Sequence, residues 1–271
     1  MGKIAVILPI YKNDNVSFVQ LSVDSILNQT YKSEITIYIG VDGPIGKDLT
    51  ECLKLYEDKG VKVQRFNENR GLAIVLNDLL DIIRENGFEY IARMDADDIS
   101  KIDRFENQVK FLEENNDVDV VGGAIEEINY LGELNGKVIN YPIAHEECYN
   151  FFAYRNPLAH PAVMFRPSFF EKVNSYNALY KKNQDTELWY RAFKAGCKFA
   201  NIPDVILSFR VSDDMYKRRG GAKFAKEVLK LRLQINSDLH YGLKANIFGY
   251  CYYLIAISPS FLKKLAYKLF R

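Results

Sequence analysis

Three carboxylates crowd directly behind an apolar run in Arg93-Met94-Asp95-Ala96-Asp97-Asp98. Acids that close repel one another and hold protons, whereas a hard divalent cation such as Mg2+ or Mn2+ turns the same cluster into a binding site. A cation held there can grip a diphosphate and neutralise the charge that develops as the diphosphate departs. The plain alternative is an acidic loop ahead of the helix expected near Lys101. Other apolar runs end in polar or turn residues in the same way: Pro9-Ile10-Tyr11-Lys12-Asn13, Val41-Asp42-Gly43 and Asn69-Arg70-Gly71. The last leads into a helix whose first-turn amides would be free for phosphate. Each alone is an ordinary strand end, turn or helix entry, but their order along the chain points to one crevice.

These segments need a scaffold that brings strand ends together. Short β-branched runs at Ile4–Pro9, Ile35–Val41, Val61–Phe66, Tyr90–Met94 and Val118–Gly122 alternate with amphipathic stretches. This alternation predicts a mostly parallel sheet with helices on both faces, whose ligands lie beyond the carboxyl ends of the strands. Asn-Tyr-Leu-Gly and Leu-Asn-Gly-Lys turn signals within 126–145 predict a hairpin, where a second, acceptor-facing portion begins. Beyond it, Gln184–Ala195 has helical spacing, Phe199–Arg210 reads as extended segments broken at Pro203, and Gly221–Leu239 as a basic amphipathic helix.

The chain resembles the family 2 glycosyltransferases over roughly residues 3–210. The resemblance rests on Pro9-Ile-Tyr-Lys-Asn13, Ser25-Ile-Leu-Asn-Gln-Thr-Tyr31, Val41-Asp42-Gly43, Asn69-Arg-Gly71, Asp95-Ala-Asp-Asp98 and Gln184-Asp185-Thr-Glu-Leu-Trp189-Tyr-Arg191. It implies an α/β fold of the GT-A type, a Rossmann-like nucleotide-binding sheet, over residues 1–214, followed by a basic helical region over 215–271. It implies that Pro9, Ile10, Tyr11, Asn13, Asp42, Arg70, Gly71, Arg93, Asp95 and Ala96 line the site of a nucleotide-sugar donor, and that Asp97 ligates Mn2+ or Mg2+.

Enzymes of this family mostly invert the anomeric centre, and in-line attack needs a carboxylate on the acceptor side to take the hydroxyl proton. Asp185 matches the family's base; the alternative for it is a helix N-cap or first-turn acid. Helical geometry favours it over Glu187, because Asp185, Leu188, Trp189 and Ala192 share a face while Glu187 is set to pair with Arg191. Trp189 reads as a core anchor. His160, in a segment resembling one near the acceptor site of bacterial members, and Arg218 with Arg219 are candidates for the acceptor or the diphosphate. The downstream histidine that often completes the metal shell has no counterpart except His240, which is not expected to reach the metal.

Two rivals share parts of this pattern. A sugar nucleotidyltransferase would open with a Gly-rich loop, where this chain has Pro-Ile-Tyr-Lys-Asn without glycine. A non-catalytic nucleotide-sugar-binding scaffold is opposed by the intact Asp95, Asp97 and Asp185.

Composition agrees with a folded chain that buries one substantial core: 48% of the 271 residues are apolar and 26% charged. Cys52, Cys148, Cys197 and Cys251 form no zinc or disulfide pattern, and no secretion signal or spanning segment is evident, so a reducing cytoplasm is expected. The net charge of +1 hides an imbalance: residues 215–271 hold twelve Lys/Arg against Glu227 and Asp238, a local +10 that leaves −9 elsewhere. The apolar, aromatic run 247–257 and the basic stretch 261–271 suit either a helix lying on an anionic membrane or one packed on the core. Family habit implies UDP-galactose or UDP-glucose as donor, an undecaprenyl-diphosphate-linked or other saccharide acceptor as in O-antigen or capsule synthesis, peripheral placement on the inner face of the cell membrane, and no nucleic-acid partner.

Overall fold

A computed structural model describes residues 2–211 and 221–258. The strands are β1 Ile4–Tyr11, β2 Ile35–Asp42, β3 Lys62–Arg65, β4 Tyr90–Arg93, β5 Ile99–Ser100, β6 Val120–Ile128, β7 Leu134–Ile139, β8 Met164–Phe165 and β9 Phe199–Arg210. The helices are α1 Val16–Leu27, α2 Lys47–Glu57, α3 Leu72–Arg84, α4 Arg104–Glu114, α5 His145–Phe152, α6 Pro167–Val173, α7 Gln184–Lys194, α8 Ala222–Asp238 and α9 Leu243–Ile257. One nine-stranded sheet runs in the order β3-β2-β1-β4-β8-β6-β9-β5, with β7 paired to β6. The strands β3, β2, β1 and β4 are parallel neighbours, β8 is antiparallel to both β4 and β6, and β9 runs parallel to β6.

The two faces of the sheet are separated by the period of two along each strand. In β1, Ile4, Val6, Leu8 and Ile10 enter a core that also holds Val19, Val23 and Ile26 of α1, Leu53 of α2, and Phe105 and Val109 of α4. Ala5 and Ile7 enter the opposite core with Leu76, Leu79 and Leu80 of α3, Phe169 of α6 and Trp189 of α7. A sheet buried on both sides needs strands that are apolar on both faces, and β1 is nearly that.

The structure revises two boundaries. β6 extends to Ile128, well past Gly122, because β9 and β7 cover both its edges. β9 is one continuous strand: Pro203, which has no amide hydrogen for the ladder, sits in a bulge where the register with β6 jumps from Ile202 to Val205. α8 packs Leu231 and Ile235 into the core beside α7. α9 rests on it through Ala245 and Gly249 while exposing Leu243, Ile247, Tyr250, Tyr252, Leu254 and Ile257. No helix among the described residues is long and apolar enough to cross a membrane.

Candidate active site

Parallel register places the predicted segments side by side. Tyr11 at the end of β1 pairs with Asp42 at the end of β2, and Ile7 pairs with Arg93 at the end of β4. The loop carrying Asp95, Asp97 and Asp98 therefore opens beside Pro9–Tyr11 at the carboxyl edge of the sheet. Its first residues are held from two sides: the Met94 amide bonds Ile7 O (3.1 Å), and the Ser22 hydroxyl of α1 donates to the carbonyl of Asp95 (2.8 Å). Buried Arg104 donates to the Arg93 carbonyl (2.9 Å) and to that of Val163 (3.2 Å), pinning the end of β4 to its neighbour segment.

The carboxylate oxygens of Asp95, Asp97 and Asp98 lie within 4.8 Å of one another. The three differ in environment. Asp95 is half-buried and ion-paired with Arg93. Asp97 opens to solvent, yet the protein mass around it and then the charge of Asp95 push its carboxyl up to about 6. Asp98 is fully buried; its Oδ1 accepts the Arg210 amide (2.8 Å) while Oδ2 has no partner, and burial followed by Asp97 and Asp95 raises its carboxyl well above the usual range. Hard oxygen donors at this spacing, one of them solvent-facing and another with an unsatisfied oxygen, fit a divalent ion of the Mg2+ or Mn2+ kind.

Two arginines offset this acidity. Arg93, paired with Asp95, is buried at 2% exposure, with Nε and Nη1 buried and without a hydrogen-bond partner among the described residues. Arg210 was not anticipated. Its Nε donates to the Asp97 carbonyl (2.9 Å), its Nη1 to the carbonyls of Asn129 (2.9 Å) and Tyr130 (3.0 Å), and its guanidinium lies 4.0 Å from the ring centre of Phe18. It fastens the end of β9, the β6–β7 turn, α1 and the acidic loop into one unit.

The two amides just ahead of α3, which begins at Leu72, are taken by Asp42. Asp42 accepts the Arg70 amide at Oδ1 (2.7 Å) and the Gly71 amide at Oδ2 (3.0 Å), so those donors are already satisfied by a carboxylate. The Arg70 side chain pairs with Asp78 and stacks on Phe66 at 4.3 Å. Gly43, at φ +85°, lets this loop come close: a Cβ there would meet the Asn69 amide nitrogen at 2.6 Å.

Asp185 lies in the first turn of α7, half-buried, with Oδ2 accepting from Asn156 Nδ2 (2.9 Å) and Oδ1 from the Thr186 amide (2.8 Å). Glu187 is buried and forked to Arg191 (2.8 and 2.9 Å), as expected. Trp189 is wholly buried. His160 is corrected from a possible acceptor contact to a core residue: at 8% exposure its Nε2 meets the Tyr176 hydroxyl at 2.8 Å, its ring packs on Trp189, and burial keeps the imidazole neutral. Burial raises the Tyr176 hydroxyl, and the charges of Arg93, Asp185 and Asp95 all act on it. His240 lies in the turn after α8 at φ +57°. Arg218 and Arg219, and the basic stretch 261–271, fall outside the described residues.

The α/β sheet flanked by helices is the fold of the GT-A glycosyltransferases, and solved structures of that class share it. Residues 1–349 of S. aureus TarS in complex with UDP-GlcNAc match with a TM-score of 0.63 at 15% identity, covering 97% of this chain and 83% of that one. The mannosyltransferase PcManGT from Pyrobaculum calidifontis, in complex with GDP-Man and Mn2+, matches with a TM-score of 0.62 at 16% identity, covering 98% and 79%. Residues 5–174 match glycosyl transferase family 2, and the chain belongs to that family. Among its relatives, the UDP-Gal:alpha-D-GlcNAc-diphosphoundecaprenol beta-1,3-galactosyltransferase of Escherichia coli is 27% identical over 99% of this chain and 94% of its own length. The amylovoran biosynthesis glycosyltransferase AmsE of Erwinia amylovora is 28% identical over 84% and 83%.

Proposed function

We propose that this glycosyltransferase inverts the donor's anomeric centre, uses Mn2+ or Mg2+, and moves a hexose from a UDP-sugar, UDP-galactose or UDP-glucose by preference, onto a hydroxyl of a lipid-diphosphate-linked saccharide in surface polysaccharide synthesis. The observation that carries the reading is the triad Asp95, Asp97 and Asp98 at the shared carboxyl edge of β1, β2 and β4. Asp97 and Asp95 would hold the ion, whose chemistry is to offset charge on the departing diphosphate. Pro9, Ile10, Tyr11 and Asn13 would line the nucleoside side of the crevice, with Gly71 and Ala96 shaping its backbone and Asp42 and Arg70 fixing its wall. Arg93 pairs with Asp95.

Asp185 would take the proton of the acceptor hydroxyl. As it does, the acceptor oxygen bonds to the anomeric carbon, the bond from that carbon to the diphosphate breaks, and its electron pair leaves with UDP. The carboxylate keeps capacity for this proton, since among the described residues each oxygen accepts one hydrogen bond.

The lipid-linked acceptor is supported by the name of the Escherichia coli relative and by the C-terminal helices: α9 exposes apolar side chains and Lys244, and α8, packed against it, exposes Lys223, Lys226 and Lys230. We place the protein peripherally on the inner face of the cell membrane on that basis, with residues 1–214 as the catalytic portion and 215–271 as the attachment region. The test is UDP release from a panel of UDP-sugars with Mn2+ or Mg2+, with and without N-acetylglucosamine linked through diphosphate to a lipid. Acceptor-dependent release that EDTA abolishes is expected. Release that ignores both acceptor and EDTA would overturn the reading.

A further inference from the structure

Asp185 does not stand alone in the first turn of α7. Asn156 Nδ2 donates to its Oδ2 (2.9 Å), the Thr186 amide donates to its Oδ1 (2.8 Å), and the Thr186 hydroxyl donates to Asn156 Oδ1 (3.0 Å). The three groups close a ring. Within it the Asn156 amide has one possible orientation, because the threonine hydroxyl faces its oxygen and the carboxylate must face its nitrogen. Asn156 comes from a segment 29 residues away in the chain.

The backbone carrying Asn156 is itself fixed. Pro157 follows it, which bars the helical region at Asn156. The carbonyl of Pro157 accepts from Asn201 Nδ2 (3.0 Å), and the same nitrogen bonds the carbonyl of Pro142 (2.6 Å). Asn201 is fully buried on β9, and it fits there because Gly122 of β6 has no side chain: a Cβ would lie 2.4 Å from Asn201 Oδ1. A path of direct contacts thus runs from the sheet, through Asn201 and Pro157, to Asn156.

We infer that Asn156 is a positioning residue for the transfer reaction, with Thr186 as its partner: together they hold the Asp185 carboxylate in the one rotamer that presents it to the acceptor hydroxyl. The inference rests on Asp185 as the proton acceptor. An orienting donor serves better here than a cation would, because it sets direction without drawing the carboxylate into an ion pair. General-base catalysis is sensitive to this, since a displacement of about 1 Å can cost on the order of 10²-fold in rate.

The experiment compares Asn156→Ala, Thr186→Val and Asp185→Asn with the wild-type full chain, singly and with Asn156→Ala combined with Asp185→Asn. It uses whichever UDP-sugar of the panel turns over with the lipid-diphosphate acceptor, in radiolabelled form so that residual rates can be read. Asn156→Ala should lower kcat by about 10- to 100-fold with the donor KM unchanged. Thr186→Val should lower kcat less, and Asn156→Ala should have no further effect once Asp185 is Asn. Asn156→Ala at wild-type kcat beside an inactive Asp185→Asn would overturn the inference, as would an equal fall in both backgrounds, which marks a general structural loss. Full transfer by Asp185→Asn would instead sink the reading of Asp185 itself, whatever Asn156 does. Should Asn156→Ala not fold, Thr186→Val is judged on the same terms in both backgrounds.

Discussion

Replacing Asp97 by Asn separates an acidic loop from a cation site, because the two make opposite demands on stability. The substitution keeps the shape of the side chain and removes its charge. In the wild type the surrounding protein and the neighbouring Asp95 push the Asp97 carboxyl from its ordinary 3.8 to about 6, so at pH 7.5 the folded state carries a charge it resists. A shift of about two units corresponds to about 3 kcal/mol at about 1.4 kcal/mol per unit. Since the carboxylate reaches solvent, screening reduces this to about 1 kcal/mol, or about 2–4 °C in Tm for a chain of this size. The folded value lies above the unfolded one, so the penalty is absent below pH 4, grows between pH 4 and 6, and is complete above. In EDTA, Asp97→Asn should therefore melt higher than wild type at pH 7.5, and the two should converge at pH 4. Added Mn2+ should reverse the order, since an ion at 100 times its Kd adds about 2.7 kcal/mol to a protein that binds it and little to one that does not. Thermal melts of both proteins across pH, with EDTA or Mn2+, decide the matter. A wild type that melts higher in EDTA at pH 7.5, or an equal response of the two proteins to Mn2+, would refute the reasoning.

Arg210→Met should cost about 1–3 kcal/mol in urea unfolding, because it leaves the carbonyls of Asp97, Asn129 and Tyr130 without their donor; a loss under about 0.5 kcal/mol would deny Arg210 its fastening role. Gly43→Ala should cost about 1–3 kcal/mol for the left-handed backbone alone, more with the 2.6 Å clash on Asn69, and should weaken UDP binding by titration calorimetry; unchanged binding and melting would contradict the close approach. Ile247→Glu combined with Leu254→Glu on the exposed face of α9 should release the protein from phosphatidylglycerol vesicles in a flotation assay while leaving its Tm unchanged; a lowered Tm with unaltered flotation would show that this face serves the fold instead.

What could be read from the residues, and what could not, divides along the distance over which each interaction reaches. The continuous apolar run of β1 and the carboxylates of 95–98 are local patterns, and the sheet and its acidic loop follow from them. The facing of α7 was equally legible, because Glu187 and Arg191 are one turn apart and their pairing leaves Asp185 on the other side. The hold of Asp42 on the next loop was not legible because its partners, the Arg70 and Gly71 amides, are 28 and 29 residues away, and no spacing rule announces that a strand-end carboxylate will cap the chain ahead of a helix. Arg210 closes an extended segment and carries no motif; only the pairing of β9 with β5 and β6 brings it against Asp97 and Asp98. Asn156 had a local signal, the restriction that Pro157 imposes, but that signal says where the backbone is stiff and not what the side chain meets. The acids that define the site were therefore visible as a cluster, while the residues that hold those acids in place come from strands and loops that only the folded sheet makes neighbours.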